Sequence, residues 1–133
     1  MKSEHLTNLH PGWVVGGWLV AVAVTALIYL GGIGLGLVPA DEEAVVWVSA
    51  SIAVGFFAGG FFVGIRWAEA PILHGMAITL FSVLVWFLTA IFGDPSTLQS
   101  LTTGLGLILL QLAAAVGGGW TGRRVALGGA IGE

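Results

Sequence analysis

Residues 44–66 read AVVWVSASIAVGFFAGGFFVGIR. No charge falls between Ala44 and Ile65, and Arg66 closes the run. A stretch of this length covers a hydrocarbon core of about 30 Å at ~1.5 Å per helical residue, so it reads as a membrane span. Its last eight residues, GGFFVGIR (Gly59–Arg66), have an echo 58 positions on, GGGWTGRR (Gly117–Arg124). Both spell Gly-Gly-x-x-x-Gly-x-Arg where a long apolar run gives out.

Three more apolar stretches of spanning length lie at about 14–37, 72–92 and 98–119. Pro39 and Asp41 separate the first two spans, Pro71 opens the third, and Asp94 and Pro95 precede the fourth. The first apolar run is far longer than the roughly 7–15 residues of a signal-peptide core, so it reads as a retained span despite Val38-Pro39-Ala40. Of the 133 residues, 57% are hydrophobic and 8% charged. Soluble domains carry about 25% charged residues, so this chain has too few to cover a water-facing surface. The sequence predicts an all-α membrane protein: a four-helix bundle forming one domain over 1–133.

Lys2, Arg66, Arg123 and Arg124 all fall on one side of this arrangement, and the other two loops hold only Asp41, Glu42, Glu43 and Asp94. Basic residues favour the cytoplasmic side, which predicts both termini in the cytoplasm. Trp13, Trp67 and Trp120 fall near that interface and Trp47 near the opposite one, where amphipathic rings settle; Trp18 and Trp86 lie deeper and are assigned to packing. The expected setting is the bacterial inner membrane, with lipid as the main contact. No basic patch follows a phosphate backbone, which argues against nucleic acid. Cysteine is absent, which removes disulfides and thiolate sites.

The 58-residue offset also aligns Gly17 with Gly75. It predicts two parallel helical hairpins, about 12–66 and 70–124, related by an axis along the membrane normal. Gly55 and Gly59 form one stripe on the second span, and Gly60 and Gly64 another. Ala113 with Gly117, and Gly118 with Gly122, repeat them on the fourth. Small residues let helix backbones approach closely in lipid, so these positions are expected to pack helices within the bundle or against other subunits, including a second copy. By the offset, Gly59 and Gly117 are expected to behave alike. Arg66, Arg123 and Arg124 read as topology anchors that reach lipid headgroups; Arg66 and Arg124 are also expected at helix C-termini, where a cation complements the dipole, with Glu69 a partner for Arg66.

His74 is the side chain with most chemical scope. It lies just inside the third span, beside Gly75, and could ligate a haem or chlorophyll-type pigment. The competing reading is an imidazole that hydrogen-bonds a neighbouring loop. His5 and His10 fall on the same side, but the tail position of both argues against a three-His metal site. Gln111 is the one amide near mid-membrane, with Thr25, Ser51, Thr79 and Ser82 as candidate interhelical partners.

No Asp, Glu, Lys or Arg interrupts an apolar core, which argues against proton-coupled transport. Small four-span multidrug transporters depend on a first-span Glu, and this span has none. No catalytic triad, H-E-x-x-H or phosphate loop is present, so an enzyme is not expected. GGFFVGIR, then WAEAP, then Leu73-His74-Gly75, together with the opening PGWVVGGWLVAVAVTALIYL, resemble a family of small bacterial four-span membrane proteins. Ile65, between Gly64 and Arg66, departs from that family's closer Gly-Arg spacing. The resemblance implies a recurring architecture and no particular activity. The expected function is a non-catalytic accessory subunit, with a pigment- or haem-binding subunit and a small channel or permease as alternatives.

Overall fold

In a computed structural model, which describes residues 5–38, 44–67, 69–93 and 101–131, the chain is an all-α bundle. A 3-10 turn at Leu6–Asn8 leads into α1 (Pro11–Gly34), α2 (Ala44–Arg66), α3 (Pro71–Phe92) and α4 (Leu101–Ile131). All four are long and apolar enough to cross a membrane. The chain is an integral membrane protein. Lys2, the turn residues Pro39, Asp41, Glu42 and Glu43, the residues Asp94 and Pro95, and the expected start of the fourth span at 98–100 lie outside the described residues.

Helix ends follow local chemistry. Pro11 and Pro71 occupy first-turn positions, where a missing N–H costs nothing. The first helix therefore starts three residues earlier than hydropathy predicts. It also ends three residues earlier. Gly36 takes a left-handed φ of 69°, and the Leu37 N–H turns back to the Gly32 carbonyl at 2.9 Å. That bond is the Schellman closure, which glycine adopts without a Cβ penalty.

The fourth helix differs most from expectation. It does not stop at Gly119 but runs to Ile131. Its 31 residues extend about 46 Å, well beyond the hydrocarbon thickness. Two arginines are too few to break a helix whose backbone bonds are satisfied internally, so the charge pattern marked an interface and not a terminus.

Helix α2 packs most extensively against α4 and then against α1; α3 closes the bundle against α4 and α1. The α2–α4 crossing rests on four glycines. A Cβ added at Gly60 would strike the Ala115 carbonyl oxygen, and one at Gly64 that of Gly119. In return, Gly118 faces the Phe57 carbonyl and Gly122 that of Phe61. In each case the glycine hydrogen on the Cβ side points at a backbone oxygen, the arrangement of a Cα–H···O contact. The four contacts exchange pairwise: Gly118 stands 58 residues after Gly60, Ala115 58 after Phe57, and likewise Gly122 after Gly64 and Gly119 after Phe61.

The opposite face of α2 receives α1. Gly55 lies against Ala21 and Thr25, and Gly59 against Gly17 and Ala21. On α4 the corresponding stripe is not used. Ala113 is exposed, and a Cβ at Gly117 would meet nothing within 4 Å. Gly59 and Gly117 are thus not equivalent, contrary to the expectation from sequence. Helix α3 brings Gly75 onto Ala115 and Val116, and Pro71 onto Gly119. It therefore seats on a row of α4 rotated away from Ala113–Gly117.

Candidate functional site

The polar groups converge at the end of the bundle where α1 begins, α2 ends and α3 begins. Ala70 makes the turn between α2 and α3, with left-handed φ 47° and ψ 52°, and it is fully buried. Its carbonyl receives two bonds from His74, one from the backbone N–H at 3.0 Å and one at ring Nδ1, 2.9 Å away. His74 is 1% exposed. Its other ring nitrogen, Nε2, accepts the backbone N–H of His10 at 3.1 Å.

A carbonyl can only accept and a backbone N–H can only donate. The two neighbours therefore fix the ring as the neutral tautomer with hydrogen on Nδ1. The buried imidazole ties the residue before α1 to the residue before α3. This is the neighbouring-loop reading of His74. The geometry gives no support to the pigment-ligand reading, because neither ring nitrogen is free to bind a metal.

Aromatic rings cover the same joint. The His10 ring lies 5.7 Å from Trp67, and Trp13 stacks on Trp67 at 6.4 Å with 27° between planes. Trp13 also meets Phe62 at 6.0 Å. The Trp67 indole N–H donates to the Asn8 carbonyl at 3.2 Å. Segment Leu6–His10 is thus tied over the α2–α3 turn through the backbones of His10 and Asn8. Among the described residues no group of three His, Asp or Glu side chains could hold a metal, so His5, His10 and His74 do not form one.

Arg66 ends α2 and is exposed. No ion pair joins it to Glu69. Arg123 and Arg124 lie inside α4, so the helix C-terminus expected for Arg124 from sequence is not where it sits. Arg123 is half-buried, with its backbone beside Gly64. The Arg124 guanidinium lies 3.8 Å over the centre of the Trp120 ring, a cation–π contact. All three arginines and the start of α1 share one end of the bundle.

Gln111 lines a cleft of about 140 Å³ between α3 and α4 with Ser82, Trp86 and Gly104. Of the hydroxyls expected to reach it, Ser82 shares the cleft, whereas three bond within their own helices, Thr25 to Ala21, Ser51 to Trp47 and Thr79 to Gly75. Such i−4 bonds satisfy a hydroxyl locally and need no partner across the bundle. Trp18, deep in the bundle, packs edge-on against Phe81 at 5.1 Å. Trp47 lies flat over Gly32, where a Cβ would come within 2.5 Å of the indole.

Sequence reasoning missed Asn8, Trp67 and Ala70 as members of this site. A signal for Ala70 existed, since a residue wedged before Pro71 is barred from the helical region. The backbone ties made by Asn8 and His10 have no signature in side-chain type. Compared with family models, curated proteins and solved structures, the chain matches none.

Proposed function

We propose that this chain is a non-catalytic integral membrane protein that acts through helix association, as a structural or accessory subunit of an oligomer or larger membrane complex. The observation that carries this reading is the outward Ala113–Gly117 face of α4. Its sequence counterpart on α2, Gly55–Gly59, is filled by α1. On α4 Ala113 is exposed and a Cβ at Gly117 would meet nothing within 4 Å, and the same holds for Gly106, two turns before Ala113. Lipid supplies no hydrophobic drive for helix pairing, so a shallow small-residue face favours a partner helix through dispersion and close backbone approach.

The reciprocal contacts across α2 and α4 support an origin by duplication of one hairpin. The gathering of Arg66, Arg123 and Arg124 at one end supports a cytoplasmic location for that end, and a bacterial inner membrane fits the resemblance carried by GGFFVGIR and Leu73-His74-Gly75. Gentle extraction of native membranes tests the proposal. The wild-type chain is expected to migrate in an assembly larger than its own 13.7 kDa. Gly117→Leu is expected to release it at bundle size with unchanged thermal stability. Wild type migrating alone would contradict the proposal.

A further inference from the structure

We propose that segment Leu6–His10 is an acid-released clasp, locked by the neutral ring of His74. The lock depends on one bare nitrogen. Nε2 accepts the His10 N–H at 3.1 Å only while it carries no hydrogen, because Nδ1 already spends its hydrogen on the Ala70 carbonyl at 2.9 Å. A second proton has one place to go, Nε2. There it opposes the His10 N–H, and an attractive contact becomes two donors facing each other. At 1% exposure, no water replaces the lost acceptor while the clasp stays shut. The His10 N–H has a way out, since moving the segment away exposes it to solvent.

His10 is a sensitive place to pull. Its carbonyl accepts the N–H groups of Trp13 and Val14 at 3.0 and 3.2 Å, which sets the first turn of α1. Its displacement also separates the His10 and Trp13 rings from Trp67. The bond from the Trp67 indole N–H to the Asn8 carbonyl does not titrate, so it is unchanged by the proton on His74. Among the described residues, the ionisable groups at this end are His5 and His10 on the clasp, Arg66 on α2, Glu69 in the turn, and Arg123 and Arg124 on α4. Protonation of His74 adds positive charge at the end of the bundle that already carries Arg66, Arg123 and Arg124. A charged His10 ring acts the other way, gaining cation–π attraction to Trp67. The release therefore belongs to His74. The release is driven by acid, because only a second proton on the ring removes the acceptor that holds the His10 N–H.

The chain has no cysteine, so spin labels can be placed at Leu6→Cys and Leu127→Cys, both exposed positions at this end. In lipid nanodiscs at about pH 8, one narrow distance distribution is expected. At about pH 5, a second, broader population at longer distance should appear, and it should reverse on return. His10→Phe with His5→Gln removes the other two imidazoles while keeping the ring on Trp67 and the backbone donor, and should preserve the response. His74→Gln offers an amide oxygen to the His10 N–H and cannot titrate, so it should stay narrow at both values. Identical wild-type distributions at the two pH values would overturn the proposal, as would a response that survives His74→Gln. Loss of the response in the His5/His10 variant would assign the release to those rings instead.

Discussion

Replacing Gly60 by alanine places one methyl in the tightest part of the bundle, and the structure sets its cost. The new Cβ would strike the Ala115 oxygen and lie 2.9 Å from the Ala115 carbonyl carbon and 3.0 Å from the Gly119 nitrogen. These are backbone atoms, and ordinary contact begins near 3.4 Å. Helices α2 and α4 therefore have to part by about 1 Å to relieve the oxygen contact. A gap of roughly 0.5–1 Å forfeits a quarter to a half of the dispersion along the seam. A Cα–H···O contact worth about 0.5–1 kcal/mol is lost as well. Alanine's better helix propensity returns about 1 kcal/mol, which leaves a net loss of about 1–3 kcal/mol. Gly118→Ala makes the reciprocal clash with Phe57 and Phe61 and should cost the same. One separation relieves both clashes, so the double variant should cost less than the sum by about 1 kcal/mol, whereas independent sites would add. Gly117→Ala meets open space, so only the propensity gain of up to about 1 kcal/mol is left and the change should not destabilise. Equilibrium unfolding in mixed micelles measures all four variants. A Gly117→Ala loss equal to that of Gly60→Ala, or strict additivity of the double variant, would refute the reasoning.

Two further variants probe the turn and the cleft. Ala70→Val puts a β-branched side chain at a fully buried, left-handed position and should destabilise by about 2 kcal/mol or more, read as a lowered unfolding midpoint. Gln111→Leu removes an amide that makes no hydrogen bond among the described residues, so it should leave stability within about 0.5 kcal/mol of wild type. A loss above about 1 kcal/mol by the same micelle titration would instead indicate an interhelical bond at Gln111.

The spans were legible because a bilayer admits few solutions: a long uncharged run bounded by proline or arginine has to be a helix. The stripes Gly60–Gly64 and Gly118–Gly122 were legible for a related reason, since four-residue spacing puts small residues on one face. Which face meets which helix was not legible. Gly59 and Gly117 have the same local sequence signal, but α1 covers Gly59 while α3 seats on Ala115 and Gly119. That choice follows from how Pro71 and the left-handed Ala70 aim the third helix, which residue spacing on the fourth does not encode. The length of α4 was hidden by Arg123 and Arg124, which mark an interface without ending a helix. At the site, His74 stood out by its depth, but its partners are backbone groups of residues 10 and 70, which any residue type supplies.

The open face of α4 is tested most directly by photo-crosslinking in native membranes from positions 113 and 117, with exposed Leu27 on α1 as the control. The account predicts a protein adduct of defined mass from 113 and 117, and lipid adducts alone from 27. Lipid adducts alone from all three positions would contradict it.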